Sequence, residues 1–283
     1  MLISSLQNPR IKSIRRLRMH KYRSREGLYV IEGIRIVESA LEHNAPVELL
    51  VYAPDLLVSE RAQALLQEHA ALEQLAVTPE VFGSLSDREA PQGIAAVVRT
   101  SQTTLADLEP TDDLFMVVAC QLQTPGNLGA IIRTADAAGA DAVAIVEPSV
   151  DLYDPLTVRA TMGSLYALPV VTVSDENELG TWFETVRAAG IPLRVMGTSA
   201  HGTALVWEVD CRGPLVILIG SEKDGLSEHA RSMADTLARL PMSGSASSLN
   251  VSAATAAILF EAVRQRTTAK DNSAQTDSEI PQT

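Results

Sequence analysis

Cysteine is scarce in this chain of 283 residues: Cys120 and Cys211 stand far apart, and neither lies in a C-x-x-C pair. That spacing excludes a disulfide framework and leaves two buried, reduced thiols as the expectation. The five histidines show no metal-ligand spacing, so no metal is expected. No apolar run approaches the roughly 18 residues needed to span a bilayer. The opening Met-Leu-Ile-Ser-Ser-Leu-Gln-Asn-Pro-Arg also lacks the apolar stretch of a secretory signal. A cytoplasmic protein is expected. Three nucleotide and hydrolase signatures are missing as well: G-x-G-x-x-G after a strand, G-x-x-x-x-G-K-[ST], and G-x-S-x-G. A dinucleotide-dependent oxidoreductase, a P-loop enzyme and an α/β-hydrolase all lose their usual support.

What is present is an ample core and a lopsided charge. Hydrophobic residues make up 46% of the chain, and the net charge is −12. Eight basic residues and no acidic one fall between Arg10 and Arg25: Arg10, Lys12, Arg15, Arg16, Arg18, Lys21, Arg23 and Arg25. Without them, 15 basic residues face 35 acidic ones, a balance of −20. A basic arm on an acidic body can touch phosphate locally while the body resists collapse onto polyanions. Arg15, Arg16, Arg18 and Lys21 are expected on one helical side. The plainer alternative is a solvated helix face.

The chain then reads as a small α/β unit followed by strands alternating with helices. Tyr29–Ile31, Val47–Tyr52 and Gly93–Val98 are expected strands; Gly33–His43 and Ser59–His69 are expected helices, with Ser59 as an N-cap. From Leu114 the apolar run Phe115–Ala119 suits a parallel strand covered on both faces. Helix Asn127–Ala138, strand Ala142–Val146, helix Val158–Tyr166, strand Val170–Val173, helix Glu176–Ala189 and strands Leu193–Met196 and Leu215–Ile219 continue the alternation. Ala230–Thr236 and a helix Asn250–Arg266 complete it. The expectation is an α/β fold: a mostly parallel C-terminal sheet with helices on both faces, preceded by a small α/β domain. The expected boundaries are 1–105 for an N-terminal domain with its basic arm, 106–113 for a linker, 114–266 for the larger domain, and 267–283 for a disordered tail.

Three segments carry candidate chemistry. In Gln123-Thr-Pro-Gly-Asn-Leu-Gly-Ala-Ile-Ile-Arg133, Leu128, Ile131 and Ile132 face the core by helical spacing, while Gly129 leaves room for Arg133 on another side. A salt bridge from Arg133 to Asp136 or Asp141 is the plain alternative. In Gly220-Ser-Glu-Lys-Asp-Gly-Leu-Ser227, Gly220 ends an apolar strand where open α/β sheets bind ligands, and Glu222 sits in the turn. Its alternative is a carboxylate capping the next helix. In Leu240-Pro-Met-Ser-Gly-Ser-Ala-Ser-Ser-Leu-Asn250, a loop of small hydroxylated residues opens into a helix, offering amides, Ser248 and Asn250 at one point. Turn and cap duties are the alternative for Ser247 and Ser248.

In this order, N-x-G-A-I-I-R-T-A, G-S-E-x-x-G-L-S and L-P-M-x-G-x-x-x-S-L-N-V-S, the segments closely resemble the TrmH (SpoU) family of SPOUT-superfamily RNA 2′-O-ribose methyltransferases over roughly 112–266. Glu32-Gly33 and Pro91-Gln92-Gly93 resemble the substrate-binding domain of its ribosomal-RNA branch. The resemblance implies a C-terminal trefoil knot, a homodimer, and S-adenosylmethionine (AdoMet) as cofactor. It implies Thr198, Gly220, Leu240, Met242 and Leu249 as cofactor contacts, and Asn127, Arg133, Glu222, Ser248 and Asn250 as the catalytic surface. The implied activity is AdoMet-dependent methylation of a ribose 2′-hydroxyl of 23S rRNA, with the basic arm on RNA. A transfer-RNA substrate, or a catalytically silent RNA-binding protein, is the alternative. Thr124, where the family often has Asp, and Lys223, where it often has Gly, depart from the pattern. Arg133 is expected as an electrostatic stabiliser, and Glu222 as an orienting group for Arg133 or its loop.

Overall fold

In the computed structural model, residues 2–101 and 103–278 are described, the last ten by their backbone alone. The elements in chain order are α1 (Pro9–Arg16), α2 (His20–Glu26), β1 (Leu28–Glu32), α3 (Ile34–Glu42), β2 (Val47–Tyr52), α4 (Glu60–Glu68), β3 (Gln74–Ala76), α5 (Pro79–Gly83) and β4 (Ile94–Arg99). They continue with β5 (Phe115–Cys120), α6 (Pro125–Ala137), β6 (Ala142–Val146), α7 (Pro155–Thr161), β7 (Val170–Val173), α8 (Glu176–Ala188) and β8 (Arg194–Thr198). Last come β9 (Ala204–Leu205), β10 (Leu215–Ile219), α9 (Glu228–Met233), β11 (Thr236–Arg239) and α10 (Val251–Ser278). The chain forms two units, one of residues 1–102 with 151–167, the other of 103–150 with 168–283.

The first unit is built on a four-stranded sheet, β1-β4-β2-β3, in which only β2 and β3 run parallel. Ile11, Ile14 and Leu17 pack with Phe82, Leu49, Val51 and Val97 against one face. The arm does not form one helix. Asn8 caps α1 through its side chain, Pro9 starts it, and the turn closes at Leu17 before α2 begins at His20. The arm's cations are therefore carried by two helices rather than along one. Residues 151–167 join this unit: Thr157 and Thr161 are buried, and the Tyr29 hydroxyl bonds that of Tyr166 at 3.0 Å.

The second unit holds a seven-stranded sheet, β7-β6-β5-β10-β8-β11-β9, with every ladder parallel. Strand β5 is buried along its whole length, as a central strand covered on both faces must be. Met116, Val118, Val216 and Leu218 form one face of the core with Trp182, Phe183 and Val186 of α8 and Ala230 of α9. Val117 and Ile217 point the other way and are equally buried. Helices α6 and α10 pack on each other, and their Leu128, Ile131, Ile132, Ile258 and Leu259 are buried outside that first cluster. Both cysteines are free and buried, and burial pushes the Cys120 thiol up to about 12. Such thiols are packing groups, not nucleophiles.

Two sequence expectations for this unit need correcting. Ala230–Thr236 is not one element: α9 ends at Met233, and Thr236 starts strand β11. The four-residue strand Thr236–Arg239 has only Ala238 fully buried, too little pattern to read locally. Helix α10 runs past Arg266 to Ser278. No glycine or proline interrupts the sequence before Pro281, so helical bonding propagates beyond the packed part. Residues 279–283 of the expected tail lie outside the described residues.

Candidate active site

At the C-terminal ends of β8, β10 and β11 the sheet opens into a cavity of about 580 Å³. Thr198, Gly220, Leu240, Met242, Ser248, Leu249, Asn250 and Glu222 all line it. The sequence segments starting at Gly220 and Leu240 therefore meet, as expected. The reason is topological: β10 and β11 flank β8 in the sheet, so the loops leaving them share one mouth.

Gly220 lines the cavity, and its missing side chain also makes room for the chain itself. A Cβ there would fall onto the carbonyl carbon of Gly225 and the amide nitrogen of Leu226. The close approach is by the chain's own backbone. Ser221 and Gly225 exchange backbone bonds at 3.0 and 3.1 Å, with Gly225 at φ +69°, and this tight turn presents Glu222 and Lys223. Thr198 is likewise occupied, since its hydroxyl donates to the Leu218 carbonyl at 2.8 Å and ties β8 to β10. What it offers the cavity is its backbone and methyl group.

Glu222 joins the second segment to the first. Its carboxylate accepts from the Gln123 and Thr124 amides at 3.0 and 3.1 Å and from the Asn127 side-chain amide at 2.8 Å. Thr124 is the N-cap residue of α6, so the negative charge sits at that helix's positive end. Partial burial pushes the Glu222 carboxyl up, but these hydrogen bonds outweigh it and hold the group below the usual carboxylate range. The capping alternative was correct in kind, though the helix is α6 rather than the one that follows in sequence. The bonds also secure the loop despite Thr124 standing where the family often has Asp.

Asn127 extends the chain of contacts, accepting from the Asn250 amide at 3.1 Å. Asn250 in turn accepts from the Ser252 amide at 2.9 Å and caps α10. Glu222, Asn127 and Asn250 thus form one line across the cavity mouth, each side chain fixed from both sides. Ser248 stands in the loop before Asn250, exposed and lining the cavity. The whole segment 241–250 is exposed, and Pro241–Leu249 makes no backbone–backbone hydrogen bond among the described residues. Its amides are therefore left without backbone partners. Leu249 and Met242 add apolar walls, 47% and 37% exposed.

Arg133 does not join them. It lies exposed on α6 and outside the cavity lining, and within the described residues it pairs with neither Asp136 nor Asp141 nor Glu222. Gly129, expected to leave it open ground, is itself buried. The sequence also missed Arg231 and Arg239, which line the cavity without an ion pair among the described residues. The only local signal was the position of Arg239 directly before Leu240-Pro-Met.

The basic arm, in the first unit, divides in two. Arg10 pairs with Glu73 at 2.6 Å, and Arg18 pairs with Asp87. Arg15 bonds the Leu6 carbonyl and the Ser84 hydroxyl at 3.3 and 3.1 Å. Arg23 is buried, donating to Asp151 at 2.9 Å and to the Leu17 carbonyl at 3.0 Å. Lys12, Arg16 and Lys21 are exposed without an ion pair among the described residues, and exposed Arg25 pairs with its neighbour Glu26. Of the eight cations, Lys12, Arg16 and Lys21 thus face solvent with no ion pair among the described residues, and Arg25 faces it bonded only to its helix neighbour. Among the described residues no helix is long and apolar enough to cross a membrane, and no His, Cys, Asp or Glu cluster could hold a metal.

Comparison with known proteins agrees with this geometry. Residues 114–260 match the SpoU rRNA Methylase family, and residues 8–96 match the MRM3-like substrate binding domain. The chain is 40% identical over 245 residues to the 23S rRNA (uridine(2479)-2′-O)-methyltransferase of Streptomyces viridochromogenes, covering 86% of this chain and 85% of that one. It is 28% identical to the 23S rRNA (guanosine(2553)-2′-O)-methyltransferase RlmP of Bacillus subtilis, covering 91% and 97%. The crystal structure of the SpoU methyltransferase AviRb from Streptomyces viridochromogenes, in complex with AdoMet, superimposes with a TM-score of 0.87 at 37% identity. It covers 93% of this chain and 99% of that one. With two motif segments meeting at one cavity, the third bonded to them through Asn127, and likeness running through both units, the chain belongs to the SpoU rRNA methylase family.

Proposed function

We propose that the protein methylates a ribose 2′-hydroxyl of 23S rRNA, with AdoMet as donor and a homodimer as the working form. The observation that carries this reading is the Glu222–Asn127–Asn250 line at the mouth of a cavity whose loop leaves its amides unpaired. The cavity suits the cofactor in size, since small-molecule sites run from about 300 to 1,000 Å³. Its lining suits it too: apolar Leu240, Met242 and Leu249 for a ring system, and free backbone groups for polar edges. When bound, AdoMet supplies a methyl group already activated by its positively charged sulfur.

The protein's own task is then to place the hydroxyl and to manage charge. Ser248 and the Asn127–Asn250 pair orient the ribose. Glu222, held ionised by its three donors, fixes Asn127 and is poorly suited to take a proton. As the oxygen–methyl bond forms and the sulfur–methyl bond breaks, the hydroxyl's proton leaves late, to an RNA phosphate or solvent. A guanidinium eases that loss by stabilising the developing alkoxide. A guanidinium keeps its proton throughout, so it is a stabiliser, not a base.

That guanidinium is Arg133 of a second copy. Arg133 shares an exposed row of α6 with Gly126 and Ala137, and Ala253, Ala257 and Phe260 form an exposed row on the adjacent α10, Phe260 at 51%. An apolar helical face left uncovered in a single chain suits a symmetric contact. A partner seated there would bring Arg133 to a neighbouring cavity, and the same burial would cover the exposed 241–250 loop. Passage of that loop from β11 back to α10 is the path in which we read the trefoil knot. A cytoplasmic location is part of this reading, since a ribosomal RNA substrate is met where ribosomes are made. The test is incubation of the purified protein with methyl-labelled AdoMet and unmodified 23S rRNA, followed by mapping of ribose methylation. Label at one 2′-oxygen is expected; label on a base, or none, refutes the reading.

A further inference from the structure

We propose that Arg16, Lys21 and Arg25, gathered about Tyr22, together with Lys12 one helical turn before Arg16, are the part of the basic arm that docks the phosphate backbone of RNA. This rests on the RNA methyltransferase reading for the identity of the polyanion. The other four basic residues of the arm are already committed within their unit, to Glu73, Asp87, Asp151 and the Ser84 hydroxyl.

The geometry around Tyr22 is specific. The Lys21 ammonium lies 4.9 Å from the ring centroid, the Arg25 guanidinium 5.0 Å and the Arg16 guanidinium 5.6 Å. Lys12 stands one turn before Arg16 on α1, at the i,i+4 spacing that makes helix neighbours. Like charges crowded on one ring repel, and the quadrupole of a single tyrosine offsets only part of that repulsion. Glu26, paired with Arg25, is the one carboxylate bonded to any of the four among the described residues. The cluster is therefore a net positive surface on a chain whose other residues, 19 basic against 35 acidic, sum to −16, the complement a polyanion needs. Because three cations already share the ring, Tyr22 gathers charge rather than offering a free face for a base to stack on. Phosphate, not sequence, is what such a surface reads.

The test uses the full-length protein and a 23S rRNA transcript, with binding followed between 50 and 200 mM KCl. Lys12→Gln/Arg16→Gln/Lys21→Gln is expected to flatten the slope of log affinity against log salt by about 1 per cation removed, or about 3 in all. Its melting temperature should fall less than that of Arg10→Gln/Arg18→Gln, since none of the three holds an ion pair and only Arg16 and Lys21 lose a contact, that with the Tyr22 ring. Arg10→Gln/Arg18→Gln removes as much charge per site but should keep the wild-type slope per remaining contact and melt lower. Should the triple variant fail to fold, Lys21→Gln alone should lower the slope by about 1. An unchanged slope in the Tyr22-surface variants, or an equal flattening in the Arg10/Arg18 variant, overturns the assignment. Wild-type protein that binds AdoMet calorimetrically yet shows no salt-dependent RNA affinity overturns the RNA reading itself, so the two failures are told apart.

Discussion

Glu222→Gln separates an orienting carboxylate from a catalytic base. In the wild type, Oε1 accepts from Thr124 and Asn127 while Oε2 accepts from Gln123. A glutamine amide keeps both Oε1 bonds by turning its nitrogen toward Gln123, where two donors then face each other. One charge-assisted hydrogen bond is lost and the rest weaken. Because the side chain is exposed and water can replace part of the loss, the cost is about 1–2 kcal/mol. For a unit of this size that is a fall of roughly 2–8 °C in melting temperature. The pH dependence follows from the depressed carboxyl. Its stabilisation is fully present above the ordinary glutamate value near ~4.3 and fades as pH falls through the lower folded value. The gap between wild type and Glu222→Gln, measured by calorimetry, should be steady from neutral pH down to that region and then close. Methyl transfer should drop roughly 5- to 30-fold with an unchanged pH–rate profile, as for about 1–2 kcal/mol of misplacement. A general base would instead cost 10²- to 10⁴-fold and erase one limb of the profile. A gap that persists into acid, or the loss of a limb, would refute the orienting role.

Arg133→Ala should abolish methylation while leaving AdoMet affinity, read by calorimetry, close to wild type. Mixed with Asn250→Ala, which damages the cavity side, it should recover up to about one quarter of wild-type activity through heterodimers; no recovery would place Arg133 in its own chain's site. Gly220→Ala forces a Cβ into the Gly225–Leu226 backbone, so it should cost about 1–3 kcal/mol or more and weaken AdoMet binding in parallel, by melting and calorimetry. Arg266 donates to the carbonyls of Cys211, Leu114 and Asp113 at 3.0, 3.1 and 3.1 Å and lies over the Phe115 ring. Arg266→Ala should destabilise by about 2–4 kcal/mol and raise hydrogen exchange in α10, since several carbonyls lose their donor together.

The contrast between what could be read early and what could not follows the range of each interaction. Strand β5 was legible because six buried apolar residues in a row leave few other options. Asn250 was legible as a helix-start residue because a cap acts within three residues. Strand β11 was not, because its four residues are ordered by ladders to β8 and β9 rather than by their own pattern. The arm misled because a helical wheel assumes one helix, and α1 ends at Arg16 before α2 begins at His20.

By itself the sequence determined the α/β alternation, the three site segments and an acidic body with a basic arm, all properties of residue type and short spacing. Only the tertiary structure decided that Glu222 caps α6, that Gly220 makes room for its own turn, that Arg133 stands outside the cavity, and that four of the arm's cations are spent within their unit. Those outcomes depend on which distant backbone amides, carbonyls and carboxylates come within bonding distance, and no local pattern of residues carries that information.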